Sequence, residues 1–178
     1  MRELLESLLP RFFPGLAFLC VAHEGKSDLD RSIPRKLQAW KEPGVRFIVV
    51  RDNDNANCLE LKRRLLALCQ GAGRPDTLVR LVCQELESWF IGDLEALGQA
   101  FEQSLNTPKN RKRFLDPDGW QKPSVELERI VPSFQKRSGA RAMSQRLRID
   151  GNKSRSFQHF VSGVSRVATE MGFGVDHD

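Results

Sequence analysis

The chain has 178 residues, 40% of them hydrophobic and 29% charged, and carries a net charge of +5. This is the composition of a globular chain long enough for one domain with a real core. No apolar run reaches the length of a membrane span, and MRELLESLLP lacks the basic start, apolar stretch and small-residue cleavage site of a secretory leader, so the expected location is the cytoplasm, with no membrane partner.

Residues 3–13 place Leu4, Leu5, Leu8, Leu9 and Phe12 on one side, an amphipathic helix ended by Pro10 and Pro14. Gly15 to Ala22 (GLAFLCVA) reads as a buried strand and runs into Glu24-Gly25-Lys26-Ser27-Asp28. Ser27 with Asp30 three residues later has the form of a capping box. Ile33, Leu37 and Trp40 then keep helical spacing, with Pro34 expected to kink the helix or open a second segment.

The most informative stretch is Arg46 to Asn57, RFIVVRDNDNAN. An apolar run without polar alternation is the mark of a strand buried on both faces, as in a parallel sheet. It leads straight into Asp52-Asn53-Asp54. Two readings fit this turn. Two carboxylates at the carboxyl end of such a strand repel unless a cation lies between them, and Mg²⁺ is the usual one. Equally, an Asx-rich turn leads into a helix, and Asn57 with Glu60 is such a helix start. The helix that follows carries Cys58, Leu61, Leu65 and Leu68 on one face and stops near Gly71 and Gly73.

Thr77 to Cys83 (TLVRLVC) is a third strand, followed by QELESW and by a helix that Asp93 opens as N-cap and that runs to about Phe101. Glu85 and Glu87 face one way if their segment is extended and diverge if it is helical, where they would be ordinary acidic residues of a first turn. Strands separated by helices imply parallel βαβ units with helices on both faces. Parallel strands gather their acidic ends, Glu24, then Asp52 and Asp54, then Glu85 and Glu87, at one edge of the sheet.

Residues 104–122 are polar and irregular, with the basic cluster Lys109, Arg111, Lys112 and Arg113. Helices are expected from about Ser124 to Ile130, from Phe134 to Leu147 and from Ser156 to Met171, where Phe157, Phe160, Val161, Val164 and Ala168 form a stripe that docks on the sheet. The end, GFGVDHD, reads as frayed. Residues 1–103 sum to −1 and residues 104–178 to +6. The expected organisation is an α/β core over 1–103 with a basic, mainly helical extension over 104–178 packed on it as one unit. The basic half places Lys136, Arg137 and Arg141 in KRSGAR, at a helix start that can hold phosphate, or that is simply solvated charge.

Cys20, Cys58, Cys69 and Cys83 form no CxxC pair and sit among apolar neighbours, which reads as buried free thiols rather than a zinc site. The three histidines have no metal spacing, and no GxSxG, P-loop or GxGxxG is present, so nucleophilic hydrolase and nucleoside triphosphatase chemistries have no support. Two or three carboxylates at a sheet edge with a divalent ion do suit phosphoryl transfer. Asp52 and Asp54 are the metal-ligand candidates and Glu85 or Glu87 the completing carboxylates, with Lys26, Lys136, Arg137 and Arg141 for phosphate.

Glu24 in EGKSD, with Asp52-Asn53-Asp54 downstream, is similar to the acidic signature of the Toprim domain of topoisomerases, primases and several nucleases. HEGKSDL, IPRKLQAW, FIVVRDND, NCLELKRRL, ELESWFIGDL, FQKRSGARA and NKSRSFQHFVSG together resemble a bacterial Toprim-like family, domain of unknown function 4276, over most of the chain. The resemblance implies a three-layer, mainly parallel Toprim sheet with a small helical C-terminal part. It implies a Mg²⁺- or Mn²⁺-dependent nuclease or phosphotransfer domain acting on nucleic acid, in a family often tied to defence against phage or mobile DNA. Relatives begin with one more strand, ending in the glutamate credited as general acid/base, just ahead of Met1. On that comparison the first strand is missing, and Glu24 becomes a doubtful stand-in for the catalytic glutamate. The alternative expectation is therefore a non-catalytic module that partners an ATPase or another protein. A basic nucleic-acid binder without chemistry is a third, and a sheet edge left open would favour a homodimer.

Overall fold

The computed structural model describes residues 1–173. The last five residues of the expected frayed end, and His177 with them, lie outside the described residues. The elements run α1 (Arg2–Phe12), α2 (Lys26–Ala39), β1 (Ile48–Asp52), α3 (Cys58–Gly71), β2 (Leu78–Val82), α4 (Glu87–Ile91) and α5 (Leu94–Phe101). They continue with α6 (Pro108–Arg113), a 3₁₀ turn at Pro117–Gly119, α7 (Pro123–Ile130), α8 (Lys136–Ser144) and α9 (Arg155–Glu170). None of these helices is long and apolar enough to cross a membrane.

The strands β1 and β2 are parallel, in register from Ile48 opposite Leu78 to Asp52 opposite Val82. The two-residue period of a strand divides their side chains between two cores. Val49 and Val79 pack with Ile33, Leu37, Leu61 and Leu65 of α2 and α3. Val82, with Ile48 and Val50, belongs to the larger cluster, which joins Leu4 and Leu8 of α1 to Trp89, Phe90, Met143, Phe157 and Phe160. Helices thus cover both faces of the sheet, and the larger core draws on both halves of the chain. Gly163 lets α9 lie close on β2, since a Cβ there would come within 2.5 Å of the Arg80 guanidinium.

One expected strand does not form. Gly15 to Ala22 has no strand partner, and among the described residues no backbone group of 17–23 makes a hydrogen bond to another. Phe18, Leu19 and Val21 are exposed rather than buried. The residues suit a strand, but a strand exists only against a neighbour, and β1 is paired on one side only. The sheet is accordingly two-stranded instead of three-stranded. The prolines also act differently from expectation: α1 continues through Pro10 to Phe12, and α2 is one helix through Pro34. The carbonyl that Pro10 leaves without a donor belongs to exposed Glu6, which water can satisfy. Ser27 does not cap α2, which starts at Lys26 behind Gly25. Asp30 is engaged instead by Arg51 at 2.6 Å and Arg64 at 2.7 Å. Within 104–122, Thr107 caps a short helix at Asn110 N (3.2 Å), with Pro108 at its first position.

The start of α9 is held by a polar knot. Ser154 Oγ caps it, accepting from Phe157 N at 3.2 Å. Asp118 accepts from Ser154 Oγ at 2.7 Å and from Ser156 N at 2.8 Å. Ser156 Oγ in turn accepts from the buried Trp89 Nε1 at 2.9 Å. An anion at a helix N-terminus receiving several donors is worth more than a neutral hydrogen bond. Asp118→Ala is expected to lower stability by about 2 kcal/mol, read as a lower urea midpoint at unchanged slope.

Candidate functional site

Asn53 organises the turn after β1. Its backbone N–H donates to Val82 O at 3.0 Å, and its side chain donates to Ala56 O at 2.9 Å and to Cys58 Sγ at 3.1 Å. Asn53 Oδ1 also accepts from Gln84 N in a short contact. One buried amide therefore ties the end of β1 to the end of β2 and to the start of α3. Asp54 and Asn55 adopt left-handed backbone, with φ of 45° and 62°, a conformation that Asp and Asn tolerate better than other side chains. Gln84, at φ 61°, receives both: its carbonyl accepts from Asp54 N at 3.1 Å and its side-chain oxygen from Asn55 N at 2.7 Å. Asn57 then caps α3, accepting from Leu59 N and Glu60 N. The turn does cap the next helix, and in doing so it fixes both aspartates.

Asp52 closes β1, and its Oδ1 is buried with no hydrogen-bond partner. Burial raises its pKa to about 7, and the charges of Asp54, Glu87 and Glu85 push the same way, against the Met1 ammonium. Burial also raises Glu87, against its own backbone N–H and the opposing charge of Lys136. Asp52, Asp54, Glu85 and Glu87 thus share one acidic edge, at the carboxyl ends of both strands. The segment carrying the glutamates is not extended, since Glu87 begins α4. Glu85 has a structural duty as well, accepting from Ser124 N at 2.8 Å at the start of α7.

The basic residues divide. Lys26 Nζ lies 2.5 Å from Asp54 Oδ2, and the charge of Lys136 opposes the rise of the Glu87 pKa. Arg141 instead pairs with Glu3 on α1 at 2.8 Å, and Arg137 adds to the charge that holds Glu3 below its usual range. Glu24 is exposed and lines an open cavity of about 380 Å³ with Gly25, Lys26, Ser27, Asp28 and Arg31; its backbone N–H donates to Asp28 at 3.3 Å. Sequence reasoning missed Asn53 and Gln84 as the residues that shape the edge. Asn between two Asp was a visible signal, whereas Gln84 carried none. All four cysteines are free thiols, but only Cys69 is buried, and Cys58, at the first turn of α3, is exposed.

Among the described residues, no three His, Cys, Asp or Glu groups converge as a metal cage. The donor set is two carboxylates two positions apart, one with a buried oxygen left unpartnered. That does not fit zinc, which takes four tight protein or water ligands with a preference for nitrogen and sulfur. It fits Mg²⁺, which keeps most of its waters and takes one or two carboxylates plus substrate phosphate.

A family model described as Domain of unknown function (DUF4276) matches residues 1–165. No curated protein and no solved structure matches the chain.

Proposed function

The chain belongs to the DUF4276 family, and from that starting point we propose that it is a Toprim-like, Mg²⁺-dependent phosphotransfer domain that cleaves nucleic acid. The observation that carries the reading is Asp52: a buried carboxylate oxygen without a partner, beside Asp54 and Glu87, at the carboxyl edge of parallel strands. Burying like charges together is costly unless a cation joins them. Asp52 and Asp54 would hold the ion, and Lys26 would pass from Asp54 to a substrate phosphate. When bound, Mg²⁺ neutralises phosphate charge and makes its water a stronger nucleophile. The rest falls to the chain's own groups. Lys26 and Lys136 draw the anionic backbone to an edge that is otherwise acidic. Glu87, with its proton held more tightly than usual, is suited to give a proton from its carboxyl oxygen to a leaving alkoxide.

Calorimetry is expected to show Mg²⁺ or Mn²⁺ binding to the wild-type chain and none to Asp52→Ala with Asp54→Ala. Cleavage of single- or double-stranded nucleic acid in Mn²⁺ should disappear in the same variant. Metal heats that survive both substitutions would sink the assignment.

A second reading, a non-catalytic module that partners an ATPase or another protein, is favoured by a specific observation. Lys26 already supplies Asp54 with a cation, and Glu85 is engaged by Ser124 N. On that reading Lys26→Ala leaves the chain inert in Mn²⁺ and lowers its stability; on the first, the same change leaves metal binding intact and weakens nucleic-acid binding.

A further inference from the structure

We propose that residues 16–22 pair antiparallel with the same segment of a second copy of this chain, so that each copy supplies the strand partner the other lacks. Among the described residues, no backbone group of 17–23 makes a hydrogen bond to another. In a single copy only water satisfies these donors and acceptors, and an extended strand is the partner that satisfies them in a row. The side chains already alternate as those of a strand do. Leu16 and Cys20 pack on the larger core, whereas Ala17, Leu19 and Val21 are exposed, Leu19 by 70%. Phe18 is exposed as well. Single exposed apolar residues are ordinary, but four in five consecutive positions mark a surface of association. Val21 carries that surface onto the end of α2, where it lines an open cavity of about 360 Å³ with Ala39 and Trp40.

Charge selects the occupant and its direction. Residues 12–22 carry no charged side chain, with Arg11 before them and Glu24 and Lys26 after. Charges placed along an exposed strand are the usual guard against pairing with another chain, and this segment has none. An antiparallel pair centred on Leu19 sets Ala17 opposite Val21 and Phe18 opposite Cys20. It also brings the Glu24 end of each copy beside the Arg11 end of the other. A parallel pair would stack Glu24 on Glu24 and Lys26 on Lys26, and like charges directly opposite are destabilising. The antiparallel arrangement uses the same segment on both copies and so closes at two. None of these residues belongs to the acidic edge, so the pairing is independent of what the carboxylates bind.

The test measures the mass of the full chain by light scattering over a dilution series, in reductant so that Cys20 cannot link the copies. The wild type is expected to have twice the mass of one chain and to fall to one on dilution. Hydrogen exchange of the amides of 17–21 should be slow where the chain is dimeric and fast where it is diluted. Leu19→Glu sets two like charges opposite each other and should weaken the dimer roughly a hundredfold or more. Leu19→Lys should do the same, and an equal mixture of the two variants should dimerise again, because the opposed charges now attract. A wild type that stays monomeric throughout the series would overturn the proposal, as would a dimer that Leu19→Glu leaves intact or a mixture that associates no better than either variant alone. Slow exchange of 17–21 in a monomer would overturn it too, by placing the partner of the segment within its own chain.

Discussion

Asp52→Asn is expected to make the chain more stable above neutral pH and to abolish its stabilisation by Mg²⁺. The sign follows from where the proton is held. Asp52 has a folded pKa of about 7 against an ordinary value of 3.8, because it is buried beside Asp54 and Glu87. Between those values the unfolded chain has released a proton that the folded chain keeps, so stability falls as pH rises through this window and levels off above it. Each tenfold in proton affinity is worth about 1.4 kcal/mol, which bounds the loss near 4 kcal/mol. Asparagine keeps the shape but cannot ionise. Its own amide still lacks a partner, which costs about 1–2 kcal/mol of the gain. The variant should therefore be roughly 2 kcal/mol more stable than wild type in chelator above the folded pKa, and roughly 1–2 kcal/mol less stable below the ordinary carboxylate pKa, where wild type is protonated in both states and only the amide cost remains. Glu87, also raised, should leave the variant a shallower slope of the same sign. On the proposed function Mg²⁺ would bind only the folded chain, and its addition should raise the wild-type urea midpoint but not that of the variant. A wild-type stability that does not fall with rising pH would refute the burial of an ionisable, unpartnered Asp52. Carrying a group that lowers stability at working pH is what a binding site does and a purely structural turn avoids.

The largest loss of stability is expected from Arg148→Met. Asp93 has no exposed side-chain surface. Its carboxylate accepts from Ala96 N at 3.0 Å, from Arg148 N at 3.1 Å and twice from the Arg148 guanidinium, at 3.1 and 2.6 Å. Methionine keeps the stem of the side chain and removes the charge, stranding a buried anion. Breaking such a pair costs about 3–5 kcal/mol, and the lower end applies here because Arg148 is half exposed and Asp93 keeps two backbone donors. Adding Asp93→Asn should recover part of the loss, since an amide can still cap α5 without a buried charge. A double variant no more stable than Arg148→Met, by urea denaturation, would show that the ion pair is not the source.

The capped helices were the most legible part of the sequence. Asn57 and Asp93 were readable as N-caps because a short side-chain oxygen ahead of an apolar period has one common use. The stripe Phe157, Phe160, Val161 and Val164 fixed the inner face of α9 for the same kind of reason. GLAFLCVA failed because its composition states a preference for strand and says nothing about whether a partner strand lies alongside it. Pro10 and Pro34 failed because a missing hydrogen bond ends a helix only where neither packing nor water offsets it. The acidic edge was half legible. Asp52, Asp54, Glu85 and Glu87 could be gathered from the parallel βαβ pattern alone, whereas Glu24 depended on a strand that does not form.

The sequence by itself determined the family, through its motifs, and α7, α8, α9 and the parallel sense of RFIVVRDND and TLVRLVC, through local periodicity and the βαβ pattern. Only the tertiary structure decided which charges meet. It set Lys26 on Asp54 and Arg141 away on Glu3, and left Asp52 Oδ1 buried without a partner. Charge partners are chosen by distance and dielectric, and both are fixed by how helices remote in sequence pack against the sheet.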